Sequence, residues 1–256
     1  MGKNIVLIMA HCDDEVFFSA RILQEIALGN ELFCVYITNC HHKFTDPKIR
    51  LKESYNALAY LGVARANIFP IGIHNNFPDG QSFRYIDSIF STVQAALTKI
   101  RMDEILTLAW EGGHVDHDVA HLIARALANS SSRNIKLWEF SAYHAYRCKK
   151  PWYHTMALLS SPPASSPIRE RRLTLWQGIH CFAVVRFFKS QWQTWLGLGL
   201  GCLVELVLFR RERSRLLPKE FSLKPPHPGS LLYEQRFKKS YEEFFEGVSL
   251  FCQTRL

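Results

Sequence analysis

The sequence predicts an α/β fold: an open, mostly parallel sheet with helices on both faces. Two observations predict it. Short apolar runs alternate with amphipathic segments from the start of the chain to about Tyr146, and the polar clusters able to do chemistry directly follow such runs. In open sheets of this kind, ligands bind outside the carboxyl ends of the strands.

In chain order, Asn4–Ala10 reads as the first strand. Its single basic residue and short apolar run resemble a signal peptide, but the run ends at once in His11-Cys12-Asp13-Asp14-Glu15, chemistry that a trimmed leader would discard. Glu31–Thr38, Asn67–Ile71, Glu104–Leu108 and Ile135–Phe140 read as further strands. Val16–Leu28, Pro47–Leu61, Tyr85–Arg101 and His117–Ala128 between them have helical apolar spacing, the last carrying Val119, Leu122, Ile123, Ala126 and Leu127 toward a core. Residues 1–150 are read as the catalytic core and 151–256 as a partly helical C-terminal extension packed on it. Within the extension, Ser160 to Pro167 is a turn-rich stretch, Arg169 to Trp195 reads as a long helix, Lys224 to Gly229 is irregular, and Tyr233 to Gly247 reads as a final amphipathic helix.

Composition narrows the function. A chain of 256 residues that is 48% hydrophobic and 21% charged can bury the core of a single α/β domain. The net charge of +8 is concentrated in Arg169–Arg172 and Arg210–Arg215. Such local runs argue against a nucleic-acid partner, which needs basic and aromatic residues spread along the chain. They suit an anionic glycan or peripheral contact with a membrane surface, or are simply solvated helix ends. The apolar stretch Trp195 to Phe209 carries Glu205 and is shorter than the ~20 residues of a membrane span, so it reads as a core or interfacial helix. Seven cysteines without closely spaced doublets read as reduced thiols in a cytoplasmic protein.

His11, Asp13 and Asp14 follow the first strand, and His114 and His117 follow the fourth. Imidazole and carboxylate are good zinc ligands, and catalytic zinc takes three protein ligands with a place left for water. The spacing leaves open which residues ligate; one carboxylate and one histidine are to spare. Those spares meet the needs of metal-assisted amide hydrolysis: a carboxylate to take a proton from an acidified water, and a histidine to steady the oxyanion and protonate the departing amine. At a helix start the charged form of His114 is disfavoured unless a carboxylate such as Asp116 compensates.

Ala10-His11-Cys12-Asp13-Asp14-Glu15 resembles the Ala-His-Pro-Asp-Asp-Glu motif of the LmbE/PIG-L zinc-dependent deacetylases, and His114-Val115-Asp116-His117 resembles their His-x-Asp-His. Arg50-x-x-Glu53, Phe77-Pro78-Asp79-Gly80 and Glu139 with Tyr143 are weaker echoes. The resemblance implies a Rossmann-like fold, one Zn2+, and removal of the acetyl group of an N-acetylglucosamine unit in a glycoconjugate. It implies His11, Asp14 and His117 as zinc ligands, Asp13 as general base, His114 as oxyanion stabiliser and acid, Asp116 as its tuning partner, and Arg50 as a substrate contact. Cys12 stands where the family has proline and is expected to point away from the metal. The alternatives are an amidase acting on another N-acyl group and a metal-free binding protein on the same fold.

His121 reads as a core histidine, because a fourth protein ligand would displace the catalytic water. His41, His42 and His227 sit in loops that could border a pocket. Gly197-Leu198-Gly199-Leu200-Gly201 follows no strand, which argues against nucleotide binding. Trp192 and Trp195 read as core or interface, with sugar stacking as the other reading.

Overall fold

The computed structural model describes residues 2–41, 45–159 and 166–256; His42 and residues 160–165 of the turn-rich stretch lie outside them. The strands are β1 (Asn4–Met9), β2 (Glu31–Tyr36), β3 (Ile68–Phe69), β4 (Glu104–Leu108), β5 (Lys136–Phe140), β6 (Tyr143–His144), β7 (His154–Thr155), β8 (Ile168–Arg172) and β9 (Arg211–Leu216). The α-helices are α1 (Glu15–Ala27), α2 (Pro47–Tyr60), α3 (Ile71–His74), α4 (Ile86–Leu97), α5 (Val115–Ser130), α6 (Leu175–Phe182), α7 (Trp192–Leu203), α8 (Leu232–Phe237) and α9 (Tyr241–Arg255).

Seven strands form one sheet in the order β3-β2-β1-β4-β5-β9-β8, the first five mutually parallel, with β9 and β8 added antiparallel. β6 and β7 make a separate small ribbon. Ile5 to Met9 are buried without alternation, because a central parallel strand is covered on both faces. One helical layer groups α1 with α2 and α6, the other α4 with α5 and α9. The chain leaves β1 for β2 on one side and returns to β4 on the other. The loops after β1 and β4 therefore diverge and leave a crevice between them, and both motifs stand in those loops.

The extension departs from the helical reading. Arg169–Arg172 and Arg211–Arg215 lie in the antiparallel neighbours β8 and β9, so the two basic runs meet in a charge ladder. Glu170 faces Arg213 and Arg171 faces Glu212 across the register; Arg213 bonds Glu170 at 3.2 Å and Arg171 bonds Glu212. Arg215 reaches the buried Glu139 of β5. Cross-strand pairs of opposite charge take the place of apolar alternation, which is why hydrophobic periodicity does not find these strands. The expected helix from Tyr233 is two helices: Lys238 adopts a left-handed conformation (φ 54°), and the Ser240 hydroxyl caps α9 by accepting from the Glu243 N–H.

Beneath the first motif, Glu15 opens α1 fully buried, beside the Tyr36 and Ser54 hydroxyls, and burial pushes its carboxyl up to about 8. A carboxyl that holds its proton in the fold but loses it when unfolded costs stability as pH rises between the two pKa values. In chelator-treated protein, urea titrations should therefore show wild-type stability falling relative to Glu15→Gln between about pH 5 and 8, by on the order of 3–5 kcal/mol. Parallel pH profiles of the two proteins would contradict this placement of Glu15.

Candidate active site

Asp14 organises the loop after β1. Its Oδ2 accepts the N–H groups of both Ala10 and His11 at 2.8 Å, folding the chain back on itself. Its Oδ1 is thereby aimed at His117 Nε2, 3.3 Å away, and at His11 Nδ1, 3.9 Å away. One ligand atom from each of His11, Asp14 and His117 lies within 4.8 Å of the others. Asp13, between them in sequence, has φ 152°, a backbone conformation that side chains other than glycine rarely adopt. Strain of this kind persists where surrounding contacts over-determine it and clusters at functional sites.

The second motif is held as firmly. His114 is the N-cap of α5, its Nδ1 accepting the Asp116 N–H at 3.2 Å. Asp118 Oδ1 accepts the N–H groups of Glu111 and Gly112, and the Glu111 carboxylate accepts from Ser141 Oγ and the N–H groups of Ala142 and Tyr143. Gly113 passes so close to Tyr143 that a Cβ would stand 2.0 Å from its carbonyl oxygen, which excludes a larger residue. Glu111 and Asp118, unassigned from sequence, thus fix the loop that presents His114 and His117.

Asp116 departs from the expected pairing with His114. Its Oδ2 lies 3.0 Å from His11 Nε2, and its other hydrogen bonds come from the Gly80 N–H and from the N–H and hydroxyl of Ser82. His114 Nδ1 is 3.7 Å from the nearer Asp116 oxygen, beyond hydrogen-bonding range. Burial, reinforced by the neighbouring His11 charge and opposed by Asp116, brings His114 down to about 4. Since its Nδ1 is an acceptor, the proton sits on Nε2. Its Nε2–H is thus the edge of His114 left free to donate.

Asp79, noted in sequence only as part of a weak echo, completes the cluster, its Oδ1 lying 3.3 Å from His11 Nε2. Burial opposes a charge on His11, but Asp79, Asp116 and Asp14 outweigh it and hold its pKa well above the usual value. Burial and the proximity of Asp14 push Asp13 up to about 7, against the pull of Arg50. Burial opposes a charge on Asp14, but the neighbouring His117 and His11 hold its carboxyl well below the usual carboxylate range.

Arg50 is buried at the cleft wall with both terminal nitrogens engaged. Nη1 donates to the Cys40 carbonyl at 2.9 Å; Nη2 reaches Asp13 Oδ1 at 3.4 Å and the Gln191 side chain, which itself donates to the Cys12 carbonyl. The Cys12 thiol is fully buried and meets Cys40 Sγ at 2.8 Å, turned away from the cleft.

These groups line a cleft of about 660 Å³. His11, Asp13, Asp14, His114 and His117 are joined there by His41, Tyr143, Trp192, Phe237 and Lys239. Of the other histidines, His121 is satisfied in the core by the Leu108 carbonyl and Arg125, and His227 packs beside Tyr146 outside the cleft. Trp195 is core, against Phe17 and Phe188. The glycine-spaced stretch is part of α7. Gln191, Phe237 and Lys239 reach the site from the extension, where neither motif nor periodicity marks them.

Two imidazoles and one carboxylate, buried at the end of a cleft and surrounded by surplus negative charge, make a donor set suited to a catalytic zinc ion. Residues 6–128 match the family model described as PIG-L: GlcNAc-PI de-N-acetylase. Among solved structures, a deacetylase of the teicoplanin biosynthesis pathway aligns with TM-score 0.62 at 15% identity, covering 84% of this chain and 97% of its own. The pseudoaglycone deacetylase of an antimicrobial reagent gives 0.61 at 15% identity, covering 86% and 98%. The N,N'-diacetylchitobiose deacetylase from Pyrococcus horikoshii gives 0.55 at 18% identity, covering 85% and 84%. All three share the fold, and the two motifs lie inside or at the edge of the crevice that fold creates. Residues 6–128 are therefore a domain of the PIG-L (LmbE-like) deacetylase family.

Proposed function

We propose that this protein is a zinc-dependent hydrolase that removes the N-acetyl group from an N-acetylglucosamine-type amino sugar in a glycoconjugate. The observation that carries the reading is the convergence of His11, Asp14 and His117 within 4.8 Å beside the strained Asp13. His11, Asp14 and His117 would hold the ion; when bound it supplies Lewis acidity and an acidified water. The family model is named for a glycosylated phosphatidylinositol, and two of the neighbours for teicoplanin and diacetylchitobiose, which supports an amino-sugar acceptor.

In this reading Asp13 takes the proton of the attacking water, a task matched by a carboxyl brought near 7. Arg50 borders the cleft and holds Asp13 in place, so its contribution to substrate contact comes with a positioning role. His114 donates its Nε2–H to the oxyanion. His114 and Asp13, which holds the proton taken from the water, are the two groups placed to protonate the departing amine. Asp116 accepts from His11 Nε2 and so leaves Nδ1, which faces Asp14, as the nitrogen that would give up its proton to hold the ion.

Asp13→Asn should retain zinc yet lose about 10²–10⁴-fold in acetate release from N-acetylglucosamine conjugates; undiminished turnover would remove Asp13 from the base role. Screening N-acetyl glycosides beside longer N-acyl analogues separates a deacetylase from a broader amidase, since only the latter turns over the longer chains. Asp116→Asn should weaken zinc affinity about 10–100-fold in chelator competition while the fold melts cooperatively. Unchanged affinity would argue that Asp116 serves only the loop around Gly80 and Ser82.

A further inference from the structure

α7 and the π-helical turn that continues it, Val204–Leu208, form one apolar rod with two different sides. The inner side, with Trp195, Leu198, Cys202 and Leu206, is buried. The outer side carries Trp192, Leu196, Leu200 and Leu208, exposed to 58%, 71%, 68% and 65%. Trp192, Leu196 and Leu200 follow at spacings of four on one face, with Leu208 eight residues further on, along about 24 Å of helix. That face bears no charge; the rod's acid, Glu205, is buried and bonded to Arg211 at 2.6 Å.

Two further apolar groups border the row. Phe237 is exposed at the cleft mouth, and Trp152, exposed to 74%, neighbours Tyr153, whose hydroxyl lies against Gly197 of α7 and whose ring carries Arg236. Beyond the rod's C-terminal end Phe209 is exposed as well, and there the Leu173 N–H donates to the Arg210 carbonyl at 2.7 Å. Contiguous exposed apolar surface on this scale marks an interaction site. Around it stand exposed cations: Arg186 and Lys189 at one end, Arg210 at the other, and Arg236 and Lys238 beside Phe237.

We propose that this face docks on an anionic phospholipid bilayer, with the mouth of the cleft turned toward the lipid. An apolar row with tryptophans, rimmed by lysine and arginine, has the makeup of a helix lying in the plane of a membrane interface, the cations pairing with anionic headgroups. Among the described residues no helix is long and apolar enough to cross a membrane, so the rod lies on the surface. A second copy fits less well: a two-fold contact through the row would press the same rim cations against one another. Trp192 and Phe237 belong both to this face and to the cleft wall, so docking would bring the site to a membrane-held ligand.

The test is sedimentation of the purified full chain with vesicles of phosphatidylcholine, with and without phosphatidylglycerol. Wild type should bind the anionic vesicles, with release at high salt and a blue shift of tryptophan fluorescence. The triple variant Leu196→Gln, Leu200→Gln, Leu208→Gln, none of which lines the cleft, should melt like wild type and bind more than about tenfold more weakly. Failure of wild type to bind either vesicle, or equal binding by the variant, would overturn the proposal. So would a wild-type dimer in analytical ultracentrifugation that the triple variant dissolves, which would assign the face to a second copy. No turnover is read, and Asp13→Asn should sediment like wild type, so loss of the deacetylase reading would leave this result standing.

Discussion

The two oxygens of Asp14 tie the fold to the chemistry. One accepts two backbone N–H groups and closes the loop after the first strand; the other, oriented by that closure, faces the two histidines. Backbone amides are rigid donors, so the free oxygen is aimed before any ion arrives. The proposed ligand set can come together only because the loops after β1 and β4 open the crevice of the sheet, and the charge around it follows from crowding Asp14, Asp79 and Asp116 about His11. Removing Asp14 would release the loop and the ligand together.

Charge within the site is divided by geometry more than by sequence adjacency. Asp116 is two residues from His114 and about a hundred from His11, yet its carboxylate serves His11 and its backbone serves His114. The helix N-terminus accounts for this. An N-cap side chain must accept from the backbone, so His114 presents its acceptor nitrogen to the amide and its N–H to the cleft. The same reasoning explains Glu111 and Asp118, whose carboxylates satisfy backbone donors of the connecting loop, and Arg50, whose guanidinium bridges carbonyls of two loops with Asp13.

How far the sequence reveals the molecule depends on which physical signal each part carries. The parallel strands and their helices are legible because burial on both faces writes long apolar runs and helical spacing. His11, Asp13, Asp14, His114 and His117 are legible as groups because chemically able side chains follow those runs. β8 and β9 are not, since Arg171–Glu212 and Arg213–Glu170 pairs hold them and a charge ladder looks like a solvated helix. The division at Lys238 had a readable sign in Ser240-x-x-Glu243, a helix-start pattern within what looked like one helix. Which carboxylate faces which histidine is invisible in sequence, as are Gln191, Phe237 and Lys239, which reach the cleft through tertiary packing alone.

The central claim is that His11, Asp14 and His117 form one catalytic zinc site with room for a water. X-ray absorption at the zinc edge, on purified protein loaded with one equivalent, tests it most directly. The account predicts stoichiometric zinc with two imidazole nitrogens, oxygen donors and no sulfur, and loss of one imidazole's signal in His117→Ala. Sulfur from Cys12 in the coordination shell, or no tightly bound zinc at all, would contradict it.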